Sequence, residues 1–402
     1  MSNDTQPEIR FPGFTEAWEQ RKLDDVVEFY SGLTYSPDNV QDDGTFVLRS
    51  SNVKNGEIID ADNVYVSHEV VNSGNVQEGD VIVVVRNGSR DLIGKHAQIK
   101  RQMDNTVIGA FMTGVRSETP DFTNAMLDTQ QFAVEINKNL GATINQITTG
   151  AFKKMQFVVP KDRDEREAIG TFFRSIDDTI TLHQRKLDLL KETKKGFLQK
   201  MFPKNGAKVP EIRFPGFTKD WEQRKLGDFV VDYVEKTSVQ NQFPMLTSSQ
   251  QKGIVLQEDY FANRQVTTEN NIGYFVLPRG YFTFRSRSDN DVFVFNRNDI
   301  IDRGIISYFY PVFTLKSADS DFFLRRINNG IQRQLSIQAE GTGQHVLSLK
   351  KFKNIVAMFP SEEEQQKIGT FFKQLDDTIT LHQRKLDLLK ETKKGFLQKM
   401  FV

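Results

Sequence analysis

The chain contains two nearly identical frames, and each frame encloses a stretch of unrelated sequence. A segment of 19 residues beginning at Pro7 returns at Pro210 with 16 positions identical. A second segment, residues 169–202, returns at 368–401 with 31 of 34 positions identical. The inserts, roughly 31–160 and 234–360, show little similarity to each other. Solenoid repeats form alike, stacked units, so this uneven pattern instead indicates common structure in the frames and different specificities in the inserts.

The second frame segment predicts one long helix in each copy. Its apolar residues recur in alternating steps of four and three, which is typical of a coiled coil. Because two seams of equal length can cover each other, we expect the helices to pair antiparallel and to give the chain an internal pseudo-two-fold repeat. The predicted seam residues are Ile169, Phe173, Ile176, Ile180, His183, Leu187 and Leu190, followed in the second copy by Ile368, Phe372, Leu375, Ile379, His382, Leu386 and Leu389.

Polar residues and glycines interrupt this seam pattern. Lys194 and Lys393 continue the seam, as do the two histidines, and we expect these polar residues to fix the helix register rather than to bind a metal. Gly196 and Gly395 each cost about 1 kcal/mol inside a helix. We therefore expect each glycine to mark the close approach of another backbone.

The start and the length of the two helices can also be predicted. Asp162 with Glu165, and Ser361 with Glu364, have capping-box spacing. At about 1.5 Å per residue the segment spans roughly 50 Å, comparable with about 15 base pairs at 3.4 Å each. A helix pair of that length would act as a ruler that holds the two inserts at a fixed spacing.

Both inserts are predicted to be mixed α+β domains dominated by strands, because short apolar runs alternate with turns rich in Asn, Gly and Asp. The expected fold class is thus α+β, with two strand-rich domains and two long antiparallel coiled-coil helices. The predicted boundaries are 1–160 and 210–360 for the domains, 161–202 and 361–402 for the helices, and 203–209 for a linker.

Polar loops of the inserts supply candidate DNA contacts. Arg, Asn, Gln and Ser donate to base edges and phosphates, and small residues let the backbone come close. For any single residue, an ordinary surface turn is the alternative interpretation. The candidates are Arg49, Ser50, Asn52, Arg86, Asn87, Ser89, Arg90, Thr149 and Lys153 in the first insert, and Thr247, Ser249, Gln250, Arg285, Arg287, Asn290, Gln344 and His345 in the second, the last two within the Gly-rich segment 341–345.

Charge gives this interpretation mixed support. Lys+Arg and Asp+Glu both number 53, so the formal net charge is zero. The first insert carries 11 basic and 15 acidic residues, and the second carries 15 basic and 11 acidic. Since phosphate binding depends on positive charge, either a local basic patch or a partner subunit must supply part of the grip on DNA.

Several classes of chemistry are absent from the sequence. The chain has no cysteine, which excludes disulfides, thiolate metal sites and cysteine nucleophiles. We find no phosphate-binding loop, no glycine-rich nucleotide fingerprint and no Asn/Asp-Pro-Pro-aromatic tetrapeptide of amino-methyltransferases. No apolar run is long enough to cross a bilayer, and no secretory signal is visible. The composition therefore favours a cytoplasmic, non-catalytic binding protein without a metal site.

The frame resembles that of a known family. The sequence PEIRFPGF followed by W-x-Q-x-K-L precedes each insert, and a Pro-led helix beginning with Glu364-Gln365 follows the second. This layout resembles the specificity subunit of Type I restriction-modification systems over essentially the whole chain. The first copy departs mildly, with Glu165-Arg166 in place of Glu-Gln.

The resemblance implies that each insert is a target-recognition domain that reads one half of a bipartite double-stranded DNA target. The helices would set the spacer and dock two methyltransferase subunits, and restriction subunits would join through the complex. S-adenosylmethionine, ATP and Mg would be bound by those partners and none by this chain, which would contribute no catalysis. Three alternatives remain open: a stand-alone two-headed DNA-binding regulator, a coiled-coil scaffold that binds no DNA, and a self-contained methyltransferase.

Overall fold

The computed structural model describes residues 6–140, 145–204, 207–261, 270–341 and 344–402. The chain divides into two compact units. Unit 1 contains residues 1–184 and 384–402, and unit 2 contains residues 185–383. Each unit therefore takes residues from both long helices. No helix in these described segments is long and apolar enough to cross a membrane.

The described residues of unit 1 form short strands, three short α-helices and parts of the two long helices, all numbered here in chain order. Its strands are β1 (Glu19–Lys22), β2 (Glu28–Ser31), β3 (Val40–Gln41), β4 (Thr45–Leu48), β5 (Val53–Lys54), β6 (Glu57–Ile58), β7 (Tyr65–Val66), β8 (Val81–Val84), β9 (His96–Gln98), β10 (Thr106–Ile108), β11 (Met112–Arg116) and β12 (Gln156–Val159). Its helices are α1 (Pro120–Leu127), α2 (Gln130–Asn139), α3 (Thr149–Lys153) and the long α4 (Arg163–Lys200), whose residues up to 184 belong to this unit.

The strands of unit 1 form two four-stranded sheets of order β10-β4-β7-β3 and β2-β11-β8-β9. Only the β10–β4 pairing in these sheets is parallel. Val81 to Val84 are completely buried because β8 lies inside its sheet. Two smaller ladders join β1 to β12 and β5 to β6.

Unit 2 repeats the frame around a different insert. Its strands are β13 (Glu222–Lys225), β14 (Val230–Tyr233), β15 (Leu246–Ser249), β16 (Gly253–Leu256), β17 (Phe275–Pro278), β18 (Phe282–Phe284), β19 (Arg287–Ser288), β20 (Phe295–Arg297), β21 (Arg303–Ile306), β22 (Val312–Leu315), β23 (His345–Val346) and β24 (Val356–Phe359). Its helices are α5 (Gln257–Tyr260), α6 (Ser320–Asn328), α7 (Gln332–Gln338), α8 (Leu349–Asn354) and the long α9 (Glu362–Met400), whose residues from 384 belong to unit 1.

The described strands of unit 2 include one four-stranded sheet of order β14-β22-β18-β20. The others form two-stranded ladders: β15-β16, β17-β21, β19-β23 and β13-β24. The β13–β24 ladder matches the β1–β12 ladder of unit 1, since Glu222 faces Phe359 as Glu19 faces Val159. The frames thus build the same structure twice, and the α+β fold class predicted from the sequence is confirmed.

Inside each unit the two long helices run antiparallel. In unit 1, Phe172 meets Phe396 with ring centroids 5.0 Å apart, and Asp177, further along α4, meets the earlier α9 residue Lys393. Unit 2 repeats the pattern: Phe197 lies 5.1 Å from Phe371, and Lys194 meets Asp376. The predicted antiparallel pairing is therefore present within both units.

The predicted seam residues face the interior to different degrees. Six of them are fully buried: Ile169, Phe173, Leu187, Ile368, Phe372 and Leu386. The others, including both histidines, are partly buried. The seam lysines do more than fill the seam, because each ends in an ion pair with an aspartate of the opposite helix.

The glycines that permit close approach are not the ones predicted. Among the described residues, nothing lies within 4 Å of a Cβ built on Gly196 or Gly395, so that expectation was wrong. A Cβ on Gly170 would instead stand 2.5 Å from the backbone nitrogen of Phe122 in α1. One on Gly369 would stand 3.0 Å from the backbone nitrogen of Phe322 in α6. These glycines let a helix of each insert rest directly on a frame helix.

The acids predicted to close capping boxes have another function. Arg10 donates to both carboxylate oxygens of Glu165 at 2.6 and 2.8 Å, and Arg213 donates to Glu364 at 2.6 and 2.7 Å. Glu165 is 1% exposed and Glu364 is 0% exposed. Each acid therefore fastens the first frame segment to the start of its long helix. The predicted N-cap side chains do cap the helices, since Ser361 accepts from the backbone of Glu364 at 3.4 Å and Asp162 from the backbone of Asp164 at 2.8 Å.

Aromatic residues at the end of each frame complete the core of a unit. Phe401 packs on Phe122 and Phe173 in unit 1, with ring centroids 5.6 and 5.8 Å away. Phe202 packs on Phe322 and Phe372 in unit 2, at 5.8 and 5.9 Å. The end of one long helix and the beginning of the other thus share one core, although they are far apart in sequence.

Candidate nucleic-acid interface

An exposed arginine stacked on a phenylalanine occurs at the same place in both inserts. Arg86 follows β8 and lies 4.9 Å from the centre of the Phe111 ring. Arg287 begins β19 and lies 4.3 Å from the centre of the Phe309 ring. In both inserts the phenylalanine carbonyl accepts a hydrogen bond from the arginine segment, from Arg86 at 3.2 Å and from Ser286 at 2.9 Å. Cation–π stacking holds each guanidinium in place while leaving its N–H groups available.

Hydrogen bonds join several candidates of the first insert into one loop cluster. Asn87 donates to the Ser50 hydroxyl at 3.0 Å and accepts, through its side-chain oxygen, from the backbone of Ser89 at 3.0 Å. Its backbone N–H donates to the carbonyl of Asn145 at 3.2 Å. Arg90 is exposed on the same loop. The structure thus brings Ser50, Arg86, Asn87, Ser89 and Arg90 together from separate parts of the sequence.

Arg49 lies beside this loop cluster but is already engaged. Its guanidinium donates to the carbonyl and the carboxylate of Asp62 at 2.6 and 2.5 Å. The side chain is 32% exposed. A DNA phosphate would therefore have to compete with Asp62 for this guanidinium.

Two candidates of the first insert lie apart from the exposed loops. Asn52 is completely buried, and its amide donates to the carbonyl of Ala61 at 2.7 Å, so the expectation that it reaches a base edge is corrected. Lys153 pairs with Asp24 at 3.0 Å and lies 5.7 Å from the centre of the Phe29 ring, on the frame side of the insert. Thr149 is exposed at the start of α3.

The candidates of the second insert converge on one polar cleft of about 520 Å³. Six residues singled out from the sequence line this cleft: Thr247, Ser249, Gln250, Arg285, Arg287 and Asn290. Ser249 is only 7% exposed, and its hydroxyl accepts from the backbone of Lys252 at 3.2 Å, so it shapes the turn. Burial raises the pKa of Tyr310 in the cleft wall, although nearby Arg285 opposes the rise. The phenol therefore stays protonated and can donate.

A ladder brings the remaining two candidates to the rim of this cleft. Arg287 pairs with Val346, and Ser288 pairs with His345. Gln344 donates to the cleft residue Asp289 at 3.0 Å, and His345 bonds to Asp291. The hydrogen bond from His345 lowers the pKa of the Asp291 carboxyl. The neighbouring Thr342 and Gly343 lie outside the described residues.

Sequence reasoning missed the aromatic residues of these sites. Phe111 is 53% exposed, and Tyr260 of the cleft is 41% exposed. An aromatic residue at a turn between two strands is a usable signal in retrospect, because such residues are normally buried. Among the described residues, no group of three His, Asp or Glu side chains is placed to hold a metal ion.

The comparisons with known proteins agree with the duplicated layout. A family model described as the Type I restriction modification DNA specificity domain matches twice, at residues 15–192 and 218–391. The chain is 23% identical over 229 residues to the Type I restriction enzyme StySPI specificity subunit of Salmonella potsdam, covering 54% of this chain and 49% of that protein. It is also 23% identical over 195 residues to the EcoKI specificity subunit of Escherichia coli K12, covering 46% and 42%. The matches thus span about half the length of these curated relatives.

The fold is also shared with a solved structure. The crystal structure of a Type I restriction-modification system S subunit from M. genitalium superimposes with a TM-score of 0.64 over 99% of both chains, at 13% sequence identity. That likeness concerns the fold alone. Because the family model matches both frames and both inserts, covering most of the chain, the protein belongs to the family of Type I restriction-modification DNA specificity subunits.

Proposed function

We propose that the chain is the sequence-reading subunit of a Type I methyltransferase and restriction complex, and that each insert reads one half of a bipartite double-stranded DNA target. The observation that carries this proposal is the repeated arginine on phenylalanine. Two inserts with little common sequence both present an ordered, exposed arginine beside polar loops. Arginine donates bidentately to guanine in the major groove, and this is the commonest specific base contact.

Different neighbours of the two arginines support different target halves. Arg86 is surrounded by Asn87, Ser89 and Arg90, whereas Arg287 opens onto a cleft with Gln250 and Asn290. Asn and Gln suit adenine, and Arg suits guanine or phosphate. The two inserts would thus read unlike sequences with a similar geometry.

Exposed leucines of the long helices support docking of two identical partner subunits. In unit 1, Leu182 is 67% exposed and Leu388 is 67% exposed; in unit 2, Leu189 is 61% exposed and Leu381 is 66% exposed. The register that joins Asp177 to Lys393 also places Leu182 level with Leu388, five residues further on in one helix and five back in the other. Each unit therefore offers one leucine from each helix, which fits a methyltransferase present in two copies.

The remaining parts of the proposal concern the helices and the chemistry. Helix α4 contains 38 residues, about 57 Å at 1.5 Å per residue, which would set the length of the DNA spacer. S-adenosylmethionine would be bound by the methyltransferase subunits, and ATP and Mg by the restriction subunits. This chain would bind none of them and would act with the complex in the cytoplasm.

Selection of bound DNA from a random pool tests the proposal. The chain, in complex with its methyltransferase subunit, is compared with the variants Arg86→Ala and Arg287→Ala. Each variant should lose base preference in one half of the target only, by about 1–3 kcal/mol at the affected position. Arg101→Ala and Arg333→Ala remove exposed arginines outside both sites and serve as controls.

Two results would contradict this proposal. If both arginine variants select the same target with the same affinity as the wild type, the assignment of the arginines is wrong. If the wild-type complex selects a single continuous site, or none, the bipartite reading itself is wrong. Arg287→Lys separates charge from geometry, because lysine keeps the charge but lacks the planar, bidentate fork.

A further inference from the structure

The paired helices present the same ion pair to both inserts. In unit 1, Lys393 Nζ lies 2.5 Å from Asp177 Oδ1. In unit 2, Lys194 Nζ lies 2.5 Å from Asp376 Oδ1. The four residues occupy corresponding positions of the repeated segment, since 177 and 376, like 194 and 393, are 199 apart. The repeated frame therefore carries the pair twice.

Each insert completes this ion pair, but with a side chain of opposite charge. In unit 1, Asp128 at the end of α1 places its Oδ2 atom 2.5 Å from Lys393 Nζ, and its Oδ1 atom lies 3.3 Å from His96 Nε2. In unit 2, Arg325 of α6 places Nη2 2.5 Å from Asp376 Oδ2. The first insert therefore binds the cation of the pair, and the second binds the anion.

Asp128 and Arg325, which complete the two ion pairs, occupy different positions of corresponding helices. Phe122 in α1 and Phe322 in α6 correspond, because each packs on the aromatic residue that ends a frame. With these aligned, Ala125 stands where the second insert has Arg325, and Asn328 stands where the first has Asp128. The inserts have thus reached the same frame contact with unrelated residues, which indicates that the contact itself is what both inserts need.

Burial explains why the contact must be completed. In unit 1 the Lys393 side chain is 15% exposed and Asp177 is 22% exposed. In unit 2 the pair is more open, with Lys194 32% exposed and Asp376 31% exposed, but the Arg325 side chain that completes it is 12% exposed. Charges removed from water to this degree are costly unless they are paired with good geometry. Burial alone would lower the pKa of Lys393, but Asp128 and Asp177 together raise it, so the lysine stays charged.

Directionality distinguishes this contact from the aromatic packing beside it. The hydrophobic attraction between Phe122 and Phe401 is non-directional, and the geometric preference of an aromatic pair is modest. A short charge-assisted hydrogen bond constrains the geometry more strongly. The aromatic contact would hold the insert on the helices, and the ion pair would set its orientation and thereby the direction in which its DNA-reading loops point.

We propose that the Lys–Asp pair of each unit is a charge socket that orients an exchangeable recognition domain on the helices, and that the socket accepts either an acidic or a basic side chain from that domain. The socket comprises Lys393 and Asp177 in unit 1 and Lys194 and Asp376 in unit 2. This inference rests on the proposed function, because orientation matters only if the domain reads DNA at a fixed distance from a second half-site. Asp128 and Arg325 are positioning residues and touch no DNA.

The test measures tolerance of the DNA spacer. The complex of the full chain with its methyltransferase subunit is given targets with identical half-sites and spacers that differ by one base pair in either direction. Asp128→Asn, which installs the residue of the second insert, should reduce discrimination between the correct and altered spacers by about tenfold, as expected for one lost charged hydrogen bond. The half-site bases themselves should stay the same.

A graft tests whether the socket accepts either sign. Adding Ala125→Arg to Asp128→Asn gives the first insert the residues of the second, and it should restore discrimination through Asp177. Asp178→Asn is the matched control, because it breaks a 3.0 Å ion pair between the same insert and α4 (Lys100 with Asp178) in which Asp178 is 58% exposed. The control should leave spacer discrimination unchanged.

The outcomes separate this inference from the proposed function. If Asp128→Asn and Lys393→Met lower thermal stability but keep wild-type spacer discrimination, the pair is merely structural and the inference is overturned. If the graft methylates the normal target yet fails to restore discrimination, acceptance of either sign is wrong. If the wild type itself shows no spacer preference, the proposed function fails, and this inference fails with it.

Discussion

Replacing Arg213 with methionine leaves the buried carboxylate of Glu364 without its cationic partner. This substitution should destabilise unit 2 more than the replacement of any exposed charged residue. The Glu364 side chain is 0% exposed and Arg213 is 16% exposed. Removing one partner of a buried ion pair costs about 3–5 kcal/mol. In unit 1 the equivalent Glu165 also accepts from the indole of Trp18 at 3.2 Å. Arg10→Met should therefore fall at the lower end of that range.

The two tryptophans of the chain allow each unit to be followed separately. Trp18 lies in the core of unit 1 and Trp221 in the core of unit 2, and each is 2% exposed. Urea unfolding of Arg213→Met in a Trp18→Phe background reports on unit 2, and unfolding of Arg10→Met in a Trp221→Phe background reports on unit 1. The double variant Arg213→Met with Glu364→Met should regain most of the lost free energy of unfolding, because it removes both charges.

Either a small loss of unfolding free energy or a loss in the wrong unit would contradict this prediction. A loss below about 1 kcal/mol for Arg213→Met would give the pair only the value of an exposed salt bridge. If Arg213→Met lowered the unfolding free energy of unit 1 as much as that of unit 2, Arg213 would not act locally. A double variant no more stable than Arg213→Met would show that the stranded charge is not the cause.

Three further predictions concern the long helices, the cores of both units and a histidine of unit 1. Inserting four residues into α4 adds about 6 Å, so the preferred DNA spacer should lengthen by about two base pairs of 3.4 Å or assembly should fail. Phe401→Ala should cost unit 1, and Phe202→Ala unit 2, about 3–5 kcal/mol of unfolding free energy, the usual cost of truncating a buried phenylalanine. Burial alone would lower the pKa of His96, but the hydrogen bond and charge of Asp128 raise it above its ordinary value of 6.5. The stabilisation from this contact is therefore fully present below pH 6.5 and is lost as pH rises through the raised pKa. His96→Gln should remove this pH dependence from the thermal midpoint of unit 1.

Each of these predictions has its own control and contrary result. An unchanged spacer with an intact complex would remove the ruler argument. If Phe401→Ala destabilised unit 2, which Trp221 reports, the claim that Phe401 completes the core of unit 1 would be wrong. His68→Gln changes a histidine of the first insert that does not contact Asp128, so it should leave the pH slope in place. A slope that survives in His96→Gln would rule out His96 as its source.

The frames could be predicted from the sequence because their signals are local. The four–three spacing from Ile169 to Leu190 predicts a helix without knowledge of its partner, and the repeat supplies a partner of equal length. The function of Glu165 could not be predicted in this way. Its spacing from Asp162 matches a capping box, but its carboxylate binds Arg10, which is 155 residues away.

Conformation limited the prediction of the candidate site. Asn52 lies in a loop whose composition is typical of DNA contacts, yet its side-chain amide donates to the backbone carbonyl of Ala61. Phe111 carries no polar atom in its side chain and was not a candidate, although it supports Arg86. Composition indicates which side chains can bind DNA, whereas only the fold determines which of them are free to do so.

Mapping of adenine methylation tests the central claim most directly. The chain is co-expressed with its methyltransferase subunit in a host that lacks adenine methylation, and modified bases are read by long-read sequencing. We expect one bipartite motif with an adenine methylated in each half, and replacement of residues 234–360 by the insert of a relative should change one half only. Methylation of a continuous motif, a change in both halves after the replacement, or a stable complex that methylates nothing would contradict the account.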